Sequence, residues 1–154
     1  MGDTIEKRLD ELGVTLPAAA APAANYLPFM RSGNLLFTAG QLPLRDGKLV
    51  VSGLLGRDLD VAAGREAAKY CAINILAQAK AALGSLDQIG KIVKISVFVA
   101  SAPDFTEQHL VANGASDFLV AVLGDAGKHA RSAVGTASLP LNAPVEIEAV
   151  IEVA

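Results

Sequence analysis

Apolar residues recur at three- and four-residue steps in two long segments, Asp60 to Leu83 and Asp104 to Leu123, each followed by a glycine. This spacing places the apolar side chains on one face and predicts two helices. A shorter stretch with the same spacing, Thr4 to Leu12, predicts an N-terminal helix. A Pro- and Ala-rich run without periodicity follows it, so residues 1–25 are expected to form a helix and an extended arm.

Runs of β-branched or alternating residues predict strands around these helices. The predicted strands are Tyr26 to Met30, Leu35 to Ala39, Lys48 to Val51, Ile92 to Ala100, Arg131 to Ala137 and Val145 to Val153. The resulting order, ββ(β)αβαββ, lets both long helices cover one face of a mixed sheet. We therefore expect a single α+β domain over residues 1–154, with the other sheet face left uncovered.

The composition and net charge of the chain exclude some classes of function. The chain has 154 residues, of which 52% are hydrophobic and 19% charged, which excludes disorder and suggests that the uncovered face is buried between subunits. The net charge of -3 argues against a nucleic-acid partner. A single cysteine, Cys71, and no visible signal or membrane segment indicate a cytoplasmic protein. Closely spaced Cys and His ligands are missing, so no metal site is expected.

Charged residues inside predicted strands are the strongest candidates for chemistry. Arg131 opens one strand, Glu146 lies near the start of the next, and a hairpin would bring them side by side. The Arg131 guanidinium could bind a small organic acid through its carboxylate, and Glu146 could orient water or move a proton. A cross-strand ion pair without chemistry is the alternative. His129 is a candidate binding residue because it lies beside Arg131, and Tyr26 could either pack or wall a pocket.

Three separated motifs resemble one protein family. The segment GNLLFTAGQLP, residues 33–43, resembles the G-N-x-x-x-T-[SA]-G-Q-x-P hairpin of the RidA/YjgF (reactive intermediate deaminase) family. Ala130 to Pro140 with Val145 to Ala149 resembles its C-terminal signature, and Asn74 to Phe105 resembles its helix-turn-strand. The resemblance implies a chorismate-mutase-like fold in which three subunits pack their sheets into a central barrel, with clefts between neighbours.

The resemblance also implies an activity. Family members hydrolyse reactive enamines and imines, such as 2-aminoacrylate, to 2-keto acids and ammonia without a metal or cofactor. Carried over by position, Arg131 would hold the substrate carboxylate and Glu146 would orient the attacking water. Tyr26, Asn113 and the backbone around Gly40 would line the cleft of a homotrimeric deaminase.

Several positions depart from the family pattern. Ala133 stands where many members carry Cys, Ala39 replaces a frequent Ser, and His129 occupies a usual Pro position. With the N-terminal helix and arm, these departures resemble a longer, less characterised subgroup. Two other functions stay open: a non-catalytic trimer that binds or senses small carboxylic acids, and a ribonuclease or translation inhibitor, which the acidic charge disfavours.

Overall fold

The computed structural model describes residues 4–22 and 24–154, so residues 1–3 and 23 of the predicted N-terminal segment lie outside the described residues. The helices are α1 (Thr4–Glu11), α2 (Val61–Leu83) and α3 (Gln108–Leu123). The strands are β1 (Phe29–Ser32), β2 (Leu35–Thr38), β3 (Leu44–Arg45), β4 (Lys48–Leu49), β5 (Ile89–Ala100), β6 (Ala130–Thr136) and β7 (Val145–Val153). None of the helices in the described residues is long and apolar enough to cross a membrane.

Five strands form one mixed sheet in the order β1-β2-β7-β5-β6. β6 runs parallel to β5, whereas every other neighbouring pair in this sheet is antiparallel. The short strands β3 and β4 form a separate two-stranded hairpin. The α+β fold with a mixed sheet is therefore confirmed.

The expected hairpin between β6 and β7 is wrong, because β5 lies between these two strands. β5, α3 and β6 form a crossover that returns the chain parallel to β5, and such units place their two strands side by side. The chain then passes to the other side of β5 to form β7. Arg131 consequently pairs with Ile95, and Glu146 pairs with Phe98.

The two faces of the sheet have different surroundings. Alternate residues of β5 and β7 pack under α2 and α3, and Ile95, Val97, Val145, Ile147 and Ile151 are fully buried there. The opposite face keeps large apolar side chains in solvent: Met30, Phe37 and Val134 are 58%, 41% and 48% exposed. The uncovered face predicted from the element order is therefore present, and its burial by other subunits stays a prediction.

Some element boundaries differ from those predicted. β1 begins at Phe29, so Tyr26 lies in the loop that precedes it. α3 begins at Gln108 rather than Asp104, and the Gln108 side-chain amide donates a 2.8 Å hydrogen bond to the carbonyl of Phe105. This bond fixes the turn that leads into the helix.

The N-terminal segment is attached to the rest of the chain by hydrogen bonds. The N–H groups of Thr4 and Ile5 donate to the two carboxylate oxygens of Asp87, at 3.0 and 3.1 Å. Asp87 therefore caps α1 although it is 83 residues away from Thr4 in sequence. Further along, the buried Gln78 amide of α2 donates a 2.9 Å bond to the carbonyl of Ala20 and holds the arm.

Candidate functional site

Arg131 is held against α3 by acceptors that carry no charge. Its Nη1 donates to Asn113 Oδ1 at 2.9 Å and to Ser116 Oγ at 3.1 Å, and its Nη2 donates to the His109 carbonyl at 3.2 Å. Within the part of the chain that the structure describes, no carboxylate lies within ion-pair distance of this guanidinium, and its Nε–H and second Nη2–H have no acceptor. No carboxylate of the described residues therefore pairs with the guanidinium charge, and two of its N–H donors are available to a ligand.

The position of α3 brings Asn113 and Ser116 to Arg131. They are three residues apart, so they lie on the same side of the helix. Between them, Gly114 packs against α2 so closely that a Cβ there would be 2.0 Å from the Arg65 carbonyl oxygen. Only glycine permits this helix–helix approach, which sets the depth at which α3 meets β6.

His129 contacts Ser116 rather than the guanidinium. Its Nε2 lies 2.8 Å from Ser116 Oγ, and its Nδ1 lies 2.6 Å from the Gly127 carbonyl oxygen. His129 therefore reaches Arg131 through the serine hydroxyl. We call Arg131, Asn113, Ser116 and His129 the Arg131 cluster.

Glu146 lies on the uncovered face, between the buried residues Val145 and Ile147. A Cβ added to Gly40 would be 2.8 Å from the Glu146 Cδ, so a larger residue at position 40 would force the Glu146 carboxyl group to shift. Hydrogen bonds of 2.8 and 3.1 Å between Gln41 and Ile147 fix the two segments together. Within the described residues the Gly40 N–H has no acceptor, which leaves a donor beside the Glu146 carboxyl.

Tyr26 lies at the same end of the sheet as Gly40. The Ala39 N–H donates a 2.9 Å bond to the Pro28 carbonyl and extends the β1–β2 pairing towards the Tyr26 loop. The Tyr26 side chain is 52% exposed. We call Tyr26, Gly40 and Glu146 the Glu146 cluster.

A polar residue of α2 holds the segment of the chain that follows Gly40 of this cluster. The buried Asn74 amide donates 3.0 Å bonds to the carbonyls of both Leu42 and Leu44. These bonds fix the chain that follows Gly40, so the position of Gly40 depends on α2 as well as on β7.

Burial raises the pKa of the Glu146 carboxyl group, and repulsion from the Glu148 carboxylate raises this pKa further. Glu146 therefore holds a proton more firmly than an exposed glutamate does. On the other side of β7, burial raises the pKa of the Cys71 thiol well above its ordinary value, and Cys71 Sγ lies 3.6 Å from the Val145 carbonyl. Cys71 is a core residue, as its place among apolar helix residues suggested.

The structure separates Arg131 and Glu146, which the sequence analysis places side by side in a hairpin. β5 lies between their strands and the register offsets them by three residues, so their backbones are about 10 Å apart across the sheet and about 10 Å along it. Arg131 faces α3, whereas Glu146 faces the uncovered side. The side-by-side Arg131–Glu146 arrangement and the cross-strand ion pair are therefore both wrong within one protomer.

Ser116 and the His109 carbonyl are site groups that the sequence did not reveal. Ser116 could have been found from its three-residue spacing to Asn113, whereas a backbone acceptor has no sequence signal. Among the described residues, no three His, Cys, Asp or Glu side chains come together as they would to hold a metal ion.

A mixed sheet covered on one face by two helices, with a β-α-β crossover at its edge, defines an α+β protein of the chorismate-mutase-like class. Residues 6–152 match the family model described as YjgF/chorismate_mutase-like, a description that also contains the word endoribonuclease. The chain belongs to this YjgF family.

Similar proteins have been named or solved in several organisms. Protein TCP17 of Trypanosoma cruzi is 49% identical over 149 residues, which cover 96% of this chain and 93% of TCP17. The crystal structure of Atu1372, a protein of unknown function from Agrobacterium tumefaciens, is 58% identical with a TM-score of 0.93, covering 98% of this chain and 93% of Atu1372. E. coli TdcF with bound serine is 26% identical with a TM-score of 0.64, covering 90% of this chain and 95% of TdcF.

Proposed function

We propose that this protein hydrolyses reactive enamines and imines that carry a carboxylate, releasing a 2-keto acid and ammonia. The observation that carries the proposal is the Arg131 guanidinium, which is fixed by neutral acceptors and keeps two unused donors. A planar guanidinium in this state matches a carboxylate, which accepts two parallel N–H bonds. The solved relative TdcF has serine bound, and serine is a small molecule with a carboxylate.

The active cleft forms between two copies of the chain. Arg131 lies on the edge strand β6 and Tyr26 precedes β1, which is the opposite edge, so one copy cannot bring both to one ligand. A neighbouring copy supplies the missing cluster if the uncovered sheet faces meet. The exposed Met30, Phe37 and Val134 on that face favour such contact. We expect a homotrimer, which sedimentation analysis would measure.

The reaction needs orientation and proton transfer. Arg131 binds the carboxylate and fixes the C=N carbon in the cleft. Glu146 accepts a proton from the attacking water as its oxygen bonds to that carbon. The same carboxyl group then donates this proton to the nitrogen, which gives a carbinolamine. Glu146 next carries the carbinol hydroxyl proton to the nitrogen, and the C–N bond breaks as the C=O bond forms, giving the keto acid and ammonia. An enamine enters the same sequence after a proton adds to its β-carbon and converts it to the imine. Burial raises the pKa of the Glu146 carboxyl group, which suits a group that must both accept and donate a proton.

A coupled assay tests this function. A dehydratase generates 2-aminoacrylate from serine, and the rate of pyruvate and ammonia release is followed with and without the protein. We expect acceleration by the wild type and none by Arg131→Ala or Arg131→Lys, because lysine lacks the planar fork. Arg57→Ala removes an exposed arginine paired with Asp58 and serves as the control. Equal acceleration by Arg131→Ala would overturn the proposal.

A non-catalytic binding function is the second candidate, because bound serine in TdcF is itself evidence of ligand binding by a relative. Such a protein would bind pyruvate saturably through Arg131 yet leave the rate of imine hydrolysis unchanged. Titration of pyruvate by calorimetry beside the coupled assay separates the two functions.

RNA cleavage is a weaker candidate, although the family description contains the word endoribonuclease. The net charge is -3, and Glu148 is exposed on the uncovered face, so the charge of the protein disfavours the binding of phosphate groups. We expect no cleavage of single-stranded RNA by the purified protein, and RNA binding that persists at high salt would contradict this.

A further inference from the structure

A chain of hydrogen bonds runs behind Arg131, from the Gly127 carbonyl through His129 and Ser116 to the guanidinium. The successive separations are 2.6 Å from the carbonyl oxygen to His129 Nδ1, 2.8 Å from His129 Nε2 to Ser116 Oγ, and 3.1 Å from Ser116 Oγ to Arg131 Nη1. Each lies in the range of a good hydrogen bond. All three side chains are partly buried.

The acceptors decide where the hydrogens lie. A carbonyl oxygen only accepts, so His129 Nδ1 carries the hydrogen, and in the neutral ring Nε2 is then an acceptor. The Ser116 hydroxyl donates to that Nε2. Its lone pairs are thereby left to face Arg131, whose Nη1 only donates.

We propose that Ser116 and His129 are positioning residues for Arg131, and this inference rests on the proposed role of Arg131 as the carboxylate anchor. His129 orients the serine hydroxyl, and Ser116 with Asn113 accepts both Nη1 hydrogens. The guanidinium plane is thereby fixed with Nε–H and one Nη2–H directed to the ligand. Without His129 the Ser116 hydroxyl rotates, and its own hydrogen competes with the Nη1 donor for the same space.

A serine within reach of a histidine oriented by a third group also matches a nucleophile and its base. The surroundings of Ser116 favour the positioning role. Its oxygen accepts from the Arg131 guanidinium and its hydrogen goes to His129, so both sides of the hydroxyl are occupied by this chain. The guanidinium also lies where an attacked carbon would have to approach.

The first experiment measures pyruvate binding to the full-length protein by calorimetry. We expect Ser116→Ala and His129→Ala each to weaken binding about tenfold, the loss expected for one hydrogen bond to a charged group. Ser116→Thr keeps the hydroxyl and His129→Gln keeps an acceptor for it, so both should recover most of the affinity. Val120→Ala, an exposed residue of α3, is the control. In the coupled assay the same losses should appear in KM with kcat changed less than about twofold.

A second measurement needs neither ligand nor turnover. The Arg131 Nε–H signal in a nitrogen-15 spectrum should broaden or shift in Ser116→Ala and His129→Ala, and return in the two conservative variants. Unchanged signals and unchanged pyruvate affinity in both alanine variants would overturn the positioning role.

The outcomes separate this inference from the proposed function. If Arg131→Ala binds pyruvate as tightly as the wild type, the carboxylate anchor is wrong and the positioning role falls with it. If Arg131→Ala loses binding while His129→Ala does not, only the positioning role is wrong. Covalent labelling of Ser116 by a fluorophosphonate would overturn positioning in favour of a nucleophile.

Discussion

The Arg131 cluster and the Glu146 cluster hold their charged groups by different means. Side chains and a carbonyl of α3 surround the guanidinium and leave its charge intact. The Glu146 carboxyl group packs against Gly40, and burial raises its pKa. The first arrangement suits the binding of an anion, and the second suits the gain and loss of a proton.

The two clusters also differ in what supports them. The Arg131 cluster depends on the seating of α3 against α2, whereas the Glu146 cluster depends on the β2–β7 segment and on Asn74 beneath it. One cluster can therefore be damaged while the other is left intact. The following experiments use that independence.

Mixed oligomers give the largest expected effect. Arg131→Ala and Glu146→Gln should each be inactive alone, because each lacks one cluster. When equal amounts are co-refolded, random assembly should restore about one quarter of the wild-type activity, since half of the subunits supply each intact cluster. The measurement is the coupled imine assay, with each variant refolded alone as control. No recovery in verified mixed oligomers would mean that both clusters act within one chain.

Gly114→Ala should damage the Arg131 cluster. The added Cβ would meet the Arg65 carbonyl at 2.0 Å, so α3 must move away from α2. Overpacking of this kind costs about 1–3 kcal/mol or more. We expect a lower urea midpoint and weaker pyruvate binding, with Val120→Ala on the same helix near wild type. If Gly114→Ala unfolds at the wild-type urea midpoint, α3 moves away from α2 without loss of stability, which contradicts this prediction.

Glu146→Gln tests how the fold affects ionisation of the Glu146 carboxyl group. A folded-state pKa above the ordinary value of about 4.3 means that the ionised carboxylate is disfavoured in the fold. The wild type should therefore lose stability as the pH rises from the ordinary pKa of a glutamate to the raised pKa of Glu146. The glutamine amide of the variant does not ionise, so the variant loses no stability in this way. We expect Glu146→Gln to be more stable than wild type near pH 7 and to lose this advantage near pH 4 in urea unfolding.

The control for that measurement is Glu66→Gln, which changes an exposed carboxylate on α2. An advantage of Glu146→Gln that is the same at both pH values would contradict the raised pKa. The gain would then come from packing.

Cys71→Ala should have the smallest effect. The side chain is fully buried beneath Val145, so its loss should cost about 1 kcal/mol through the cavity left behind. Pyruvate affinity should be unchanged, since Cys71 lies under β7 and away from α3. A large loss of affinity would indicate that the two clusters are coupled through the core.

The helices and most strands were predictable because local patterns specify them. The three- and four-residue spacing gave α2 nearly to the residue, and β-branched residues gave the centre of β5. Strand neighbours were harder. The loop of residues 137–144 contains Pro140 and Pro144 and resembles a hairpin connection, but the α3 crossover had already placed β6 beside β5. A strand pattern carries no information on which neighbour completes its hydrogen bonds.

The contacts among the candidate site residues could not be predicted from the sequence. Asn113 was placed by family spacing, and the structure brings it to Arg131 at 2.9 Å. His129 was expected to line the site because it lies two residues before Arg131, and residues two apart in an extended chain point to the same face. The structure brings both side chains to Ser116, a contact that no sequence pattern specified. Contacts between α3 and the edge strand β6 depend on how closely α3 packs against α2. Gly114 determines this distance, and no local sequence pattern reveals that role.

Because Asp87 caps α1, the structure of this helix depends on a distant part of the chain. Eight residues are too few to remain helical alone, and this helix obtains its first two acceptors from Asp87, in the turn between α2 and β5. The order of α1 therefore depends on the turn that carries Asp87. The amide hydrogens of α1 should exchange at a rate set by local undocking, well before those of β5 report unfolding of the whole protein.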